Sequence, residues 1–375
     1  MRRNLIAIFA FALACCSNSN AQNGKYGAGD KTRPFKVAEV ARFDEPWAMA
    51  FLPDGRLLVT ERKGALKILN RDRTTGRITG TPIVDYGGQG GLGDVALHPD
   101  FANNHLVYLS WAEAGPGGTR GAAIGRGALV LDDKGAGRID GLSVIWRQQP
   151  KVDGRGHYSH RLLFSPDGYL FVSSGERQKF TPAQDLNVNL GKILRLKDDG
   201  SPAPGNPFAD RGPIAAQIWT LGHRNALGLA FDSAGRLWES EMGPRGGDEV
   251  NLIERGKNYG WPVVSNGDNY DFTTIPDHPT HPEFEAPKVW WNPSISPSSI
   301  AIYSGDMFPQ WRGSAFVSAL SGKALIRIAL NATEAKKAEQ WDMGDRVRQV
   351  KEGPDGALWL LIDGEDGALL RLTPR

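Results

Sequence analysis

The sequence predicts an all-β fold, a six-bladed β-propeller with four-stranded antiparallel blades over residues 35–375. Three observations predict it. A Pro-Asp-Gly turn feeding an apolar strand recurs along the chain. The recurrences lie far enough apart for four strands each. Finally, 46 glycines and 24 prolines in 375 residues favour short strands and tight turns over helices.

The clearest copies are Phe51-Leu-Pro-Asp-Gly-Arg-Leu-Leu-Val-Thr, Phe164-Ser-Pro-Asp-Gly-Tyr-Leu-Phe-Val-Ser, Phe231-Asp-Ser-Ala-Gly-Arg-Leu-Trp-Glu-Ser and Gly353-Pro-Asp-Gly-Ala-Leu-Trp-Leu-Leu. Weaker ones are Leu97-His-Pro-Asp-Phe, leading to Leu106-Val-Tyr-Leu-Ser, and Ile295-Ser-Pro-Ser-Ser, leading to Ile300-Ala-Ile-Tyr. Each pairs turn chemistry with a β-prone strand, the signature of a hairpin. Counted from Pro53, Pro99, Pro166, Ser233, Pro297 and Pro354, the spacings are 46, 67, 67, 64 and 57 residues. A β-sandwich would show strand signals at short intervals without this long period. The main helix-like stretch, Ala332 to Gln340, is too short and polar to organise a core.

Ahead of the repeats, Arg2 and Arg3 precede the apolar run Leu5 to Cys16, and Ser19-Asn-Ala21 offers small residues for cleavage. Residues 1–21 therefore read as a secretory signal rather than a buried helix, which sends the protein to the periplasm or outside the cell. Acylation of Cys15 or Cys16 is the alternative and would make it lipid-anchored. Cleavage after Ala21 removes both cysteines, leaving no disulfide, thiolate metal site or cysteine nucleophile. It also removes two of the 44 basic residues and none of the 42 acidic ones, leaving 42 of each. A balanced charge offers no field for nucleic acid or an anionic membrane. No later stretch reaches the roughly 18 apolar residues of a membrane span.

Four polar segments interrupt the strands. Gly87-Gly-Gln-Gly-Gly-Leu-Gly-Asp94 lacks the Lys-Ser/Thr of a phosphate loop, and is either a flexible turn or a close backbone approach presenting Gln89 to a ligand. Gly156-His-Tyr-Ser-His-Arg161 places His157 and His160 just before a repeat strand, where a neutral imidazole can take a hydroxyl proton. Zinc is the competing use, without a clear third ligand. Glu176, in Ser174-Gly-Glu-Arg177, is either that histidine's partner or a rim charge. Leu221-Gly-His-Arg-Asn-Ala-Leu-Gly228 sets Arg224 and Asn225 in an apolar approach, where a guanidinium needs an anionic or quinone partner. Glu239-Ser-Glu-Met-Gly-Pro-Arg-Gly-Gly-Asp-Glu-Val250 is either an acidic turn or a set of hard oxygen donors of the kind calcium takes.

Together, GGQGGLGDVALHPDF, the His157 segment, TLGHRNALGLAF, SEMGPRGGDEVNLI and GKNYGWP resemble, in the family's order, the soluble aldose and glucose dehydrogenases that use pyrroloquinoline quinone. The resemblance runs from about Glu45 to the C-terminus. It implies that His157 is the catalytic base with Glu176 as its acid partner, although the glucose-specific branch usually has aspartate there. It implies cofactor contacts at Gln89, Arg224, Asn225 and Tyr270, and catalytic help from Arg224 near the reactive quinone carbonyl. The carbonyls of Gly243 and Pro244 would hold the cofactor's calcium, and Glu249 with the Tyr259 carbonyl a second, structural one. Arg346 and Arg348 match the pair that grips cofactor carboxylates. Two apart on a strand, they would point to one face in any case, for bidentate contact with carboxylates or merely as a solvated polar face. Many members carry a cofactor lysine where this chain has Leu320-Ser321, and Lys323 is the candidate substitute.

The resemblance thus implies oxidation of an aldose to its lactone, with electrons passed to an external acceptor by a monomer or homodimer. A calcium-dependent lactonase would instead need acidic or amide side chains converging on the central channel. A non-catalytic carbohydrate- or protein-binding propeller would leave the His157 and Arg224 loops without a role.

Overall fold

The structure, a computed structural model, describes residues 33–375 apart from residue 134. The predicted signal at residues 1–21 lies outside the described residues. All-β architecture is observed: no helix among the described residues exceeds four residues, and Phe101–Asn104 is the one α-helical turn among them. No helix there is long and apolar enough to cross a membrane.

The repeated turns close as the sequence requires. Gly55, Gly168, Gly235 and Gly356 have φ of 85°, 85°, 78° and 76°, a left-handed conformation that glycine adopts without steric cost. In each, the glycine N–H donates to the carbonyl three residues back. The strand before each of these turns is the inner one of its sheet.

There are four four-stranded sheets, one eight-stranded sheet and one two-stranded ribbon. The expected set of six separate four-stranded blades is not observed as such. In the eight-stranded sheet, two antiparallel four-strand runs join where Thr75–Thr79 lies parallel to Gly137–Arg147. Glycine permits the approach, since a Cβ at Gly76 would collide with the Gly135 carbonyl and one at Gly80 with the Ile139 carbonyl. The inner strands Pro46–Phe51, Leu92–Leu97, Ser159–Phe164, Ala226–Phe231, Pro297–Ile302 and Val347–Glu352 touch in that order, and the last returns to the first. The strand Phe35–Phe43 pairs antiparallel with the C-terminal Gly367–Pro374, so the two ends of the described chain complete one sheet.

Two readings of the sequence need correction. Ala332 to Gln340 is no helix: Glu334–Asp342 is the outer strand of its sheet, paired with Ala324–Asn331. An edge strand with one face in water tolerates so polar a sequence, and buried Trp341 anchors it against Phe35. Pro297 is no turn marker either, because it opens the inner strand. The matching turn falls between Ile302 and Ala315 and carries the short helix Pro309–Trp311 in place of Pro-Asp-Gly.

Apolar clusters fill the gaps between sheets, as where Trp238, Val250 and Leu252 meet Val317, Ile326 and Ile328. At the axis the join is polar. Arg161 donates from Nε to the Leu227 carbonyl (2.6 Å), from Nη2 to the Ser298 carbonyl (2.8 Å) and from Nη1 to Asp94 Oδ1 (3.4 Å). Its guanidinium also lies 3.9 Å from the centre of the Trp47 ring. Asp94 Oδ2 in turn accepts the Leu162 N–H at 2.8 Å. One side chain thus touches inner strands of four neighbouring runs besides its own. Burial pushes its pKa down to about 10. Truncating one partner of a buried pair strands the other, at a cost of about 3–5 kcal/mol. Arg161→Leu should lower unfolding stability by that much in urea titration; a loss within 1 kcal/mol would show that the ring closes without it.

Candidate active site

One mouth of the ring opens as a funnel of about 760 Å³. Gln89, His157, Arg224, Asn225, Gly243, Pro244, Tyr270, Arg346 and Arg348 all line it. The sequence scatters them over 260 positions; the inner strands and their preceding loops bring them together.

His157 reaches the funnel on an unusual backbone. His157, Ser159 and His160 all have positive φ, at 48°, 58° and 55°. Side chains other than glycine rarely sit there, and such strain persists only where neighbours hold it. Here the neighbours do. Gln89 Oε1 accepts the His157 N–H at 2.7 Å, and His160 stacks on Trp47 at 5.1 Å while its Nδ1 meets Ser110 Oγ at 2.7 Å.

Behind the imidazole, Glu176 Oε1 bonds His157 Nδ1. Glu176 Oε2 accepts backbone N–H groups of Lys179 (2.5 Å) and Phe180 (2.6 Å), so neither oxygen is free. Burial raises the Glu176 pKa, but the His157 bond and charge outweigh it and the net shift is downward. For His157, burial is the largest influence and lowers the pKa; Arg224 adds to that and Glu176 opposes it. A neutral ring with its proton on Nδ1 leaves a lone pair on Nε2, which is the state of a general base.

Arg224 donates from Nη1 to the carbonyls of Met242 (3.0 Å) and Gly243 (2.6 Å) and from Nη2 to Tyr270 Oη (3.3 Å). Its buried Nε has no partner. Glu241 Oε2 accepts the Arg224 N–H at 2.7 Å. Across the funnel, Asp363 takes Arg346 Nε at 2.8 Å and Arg348 Nη2 at 2.7 Å. The two arginines therefore share a face, held by one carboxylate, with a net positive charge left over. Asp248 accepts the N–H groups of Gly243, Ile295 and Ser296, fixing the Gly243–Pro244 loop against the start of the next inner strand, Pro297–Ile302. Burial raises its pKa to about 6 despite those bonds.

Glu249 and Tyr259 do not enter the funnel. They line a small void beside it, which Arg224, Glu241 and Gly243 also border. On one face of the paired strands Leu237–Glu241 and Asp248–Ile253, Glu239 opposes Asn251 and Glu241 opposes Glu249. His223 joins them: donor atoms of His223, Glu239 and Glu241 lie within 4.8 Å of one another. Glu239 Oε1 and His223 Nδ1 are buried without a hydrogen-bond partner, although His223 Nδ1 lies 3.6 Å from Glu241 Oε1. Burial, then the Glu241 charge, pushes the Glu239 and Glu249 carboxyls well above the usual range. Carboxylates packed so closely require protons or a cation, and the oxygen-rich donor set suits calcium. Lys323 lines neither cavity and is exposed, whereas Ser321 borders the funnel and contacts Ser296 Oγ at 2.8 Å.

Sequence reasoning missed Glu241, Asp248 and Asp363. A signal for two of them was available, since the repeat carries an acid near the far end of its second strand. Glu61, Glu176, Glu241 and Asp363 follow their turns at comparable distances, and the last three act on site residues.

Residues 43–371 match the glucose/sorbosone dehydrogenase family. The chain is 39% identical over 341 residues to the aldose sugar dehydrogenase YliI of Escherichia coli, covering 89% of this chain and 91% of that protein. It is 27% identical over 443 residues to the quinoprotein glucose dehydrogenase B of Acinetobacter calcoaceticus, covering 96% and 90%. The solved PQQ-bound form of an aldose sugar dehydrogenase from Streptomyces coelicolor superposes with a TM-score of 0.75 at 31% identity, over 91% of this chain and 98% of that one.

The acid cluster makes a stability prediction with a definite sign. Its carboxyls have raised folded pKa values, so in metal-free protein the unfolded chain ionises first as pH rises, and folding weakens from the ordinary glutamate range upward. A cation replaces the protons and removes that penalty. Adding millimolar calcium to chelator-treated protein should raise Tm by about 3 °C or more at pH 8 and by less at pH 5. An equal or absent shift at both pH values would show that the cluster holds no cation.

Proposed function

The chain belongs to the glucose/sorbosone dehydrogenase family, and on that premise we propose that it oxidises aldose sugars at C1 to aldonolactones, with pyrroloquinoline quinone and calcium as cofactors. The observation that carries the reading is the funnel itself, where a base held by a buried carboxylate faces paired arginines across one cavity. We read the eight-stranded sheet as two blades joined at their outer edges, so that six blades surround it.

The residues present fit the cofactor. Arg346 spends only Nε on Asp363 and is half-exposed, leaving its terminal nitrogens for a carboxylate of the tricarboxylate, with Arg348 beside it. The unpartnered Arg224 Nε, Gln89, Asn225 and Tyr270 are further contacts from the same wall. The Gly243 and Pro244 carbonyls suit the cofactor's calcium, and Glu249 with the Tyr259 carbonyl a structural one. When bound, the quinone supplies the hydride acceptor and calcium polarises it.

The protein's own part is proton transfer and charge stabilisation. His157 Nε2 takes the anomeric hydroxyl proton. Glu176 stabilises the imidazolium that forms and, tied by two backbone N–H groups, keeps the ring in place. Arg224 offers a fixed positive charge to oxygen gaining electron density. An exported enzyme of this kind, periplasmic or secreted, would hand its electrons to an external acceptor. A lactonase would need carboxylates open to the cavity, but Asp248 and Asp363 spend their oxygens on backbone and arginine.

Protein loaded with quinone and calcium should reduce a dye when given aldoses, and no reduction across a broad sugar panel would overturn the reading. His157→Gln should cut kcat by about 10²–10⁴-fold with cofactor content unchanged. Because Glu176 raises the His157 pKa, Glu176→Gln should move the acid limb of kcat/KM to lower pH as well as reduce the rate. A limb that stays put would mean another group titrates.

A further inference from the structure

Beside the His157–Glu176 pair stands an aromatic group that the oxidation itself does not use. Phe180 is a large apolar residue 47% exposed, with φ of 63°. Either feature is unfavourable for phenylalanine, and together they require a backbone held from outside. That hold is visible. The Phe180 N–H donates to Glu176 Oε2 at 2.6 Å. Arg177, itself at φ 62° and fully buried, donates to the carbonyls of Gly156 (2.8 Å), Arg120 (2.5 Å) and Gly154 (2.6 Å), pinning the stretch to the His157 loop. The Phe180 ring stacks on Trp261, with centroids 5.6 Å apart and planes at 28°. Trp261 is buried with Ala183 and Ile275, and the Arg224 guanidinium lies 5.2 Å from its ring centre.

The result is a rigid aromatic platform, backed on one face and open on the other. It lies outside the lining of the funnel, yet one hydrogen bond from the carboxylate that orients the base. A pyranose ring presents an edge of C–H groups that suits the electron-rich face of an aromatic ring. The sugar undergoing oxidation must place C1 at His157, so a platform outside the funnel suits the next ring along, not the reacting one.

We propose that Phe180, stacked on Trp261, is a subsite for the second ring of a reducing-end oligosaccharide, making such oligosaccharides preferred over monosaccharides. The inference rests on the sugar-oxidising function proposed above. Its test compares kcat/KM of the quinone- and calcium-loaded enzyme for cellobiose and maltose with that for glucose, alongside calorimetric binding of methyl cellobioside, which has no free anomeric hydroxyl. Phe180→Ala should lower the disaccharide-to-glucose ratio about tenfold, mainly through KM, and weaken methyl cellobioside binding to match. Phe180→Trp should keep both. A lowered Tm with an unchanged ratio would mean that Phe180 only shields Trp261, and would overturn the proposal. If the wild type oxidises no sugar, the enzymatic reading falls separately. Phe180-dependent binding of methyl cellobioside would then still uphold the subsite, and its absence would end it.

Discussion

The Arg161 guanidinium at the axis is the constraint on which the rest depends. A ring of sheets leaves its centre to the ends of inner strands, where apolar side chains alone would fix neither register nor height. Arg161 fixes both by reaching carbonyls of two strands, a carboxylate of a third and the Trp47 ring of a fourth. Trp47 and Leu227, both of which it touches, line the funnel. The residue before it, His160, stacks on the same tryptophan, and the strained turn carrying His157 begins from that fixed point. Position at the axis is thereby passed along three residues to the base.

Acids organise the site through the neighbours they hold. Glu176, Glu241 and Asp363 stand at corresponding ends of repeated strands, and each spends its oxygens on a neighbour that does face the cavity: His157, the Arg224 backbone and the arginine pair. Asp248 does the same for the Gly243–Pro244 loop. The funnel therefore presents cations and hydrogen-bond donors, while the carboxylates in its wall, Asp248 and Asp363, are already bonded to backbone N–H groups and arginine. Such an interior suits an anionic, oxygen-rich ligand, because the charges that would repel it are already engaged.

Much of this was legible in the sequence, for physical reasons that also mark the limits. Pro-Asp-Gly turns were readable because only glycine takes their last position cheaply, so the repeat survives in the residues themselves. Arg224 stood out as a charge in an apolar approach, His157 as one of two histidines just before a repeat strand, and Arg346 with Arg348 by their two-residue spacing. Glu334–Asp342 was misread because an edge strand need not alternate, leaving helix propensity as the stronger local signal. Pro297 misled because its repeat replaces the turn with a longer segment. Lys323 was chosen by nearness in sequence, but after Ser321 the chain turns away and carries it to the outside. Asp248 acts only through backbone N–H groups brought from elsewhere in the chain, a role no local pattern reveals, whereas Asp363 could have been found from its place in the repeat.

The pairing of Phe35–Phe43 with Gly367–Pro374 carries a consequence for the order of assembly. The other four-stranded sheets are each built from one stretch of the chain, and even the junction of Thr75–Thr79 with Gly137–Arg147 spans only some 60 residues. This seam joins partners separated by more than 320 residues, including the bond from Arg42 to Asp366. The strand Phe35–Phe43 must wait with an unpaired edge until its partner arrives, so among the described strands this pairing spans the greatest length of chain. For a polypeptide made from its N-terminus, the first of the described strands is the last to find its place.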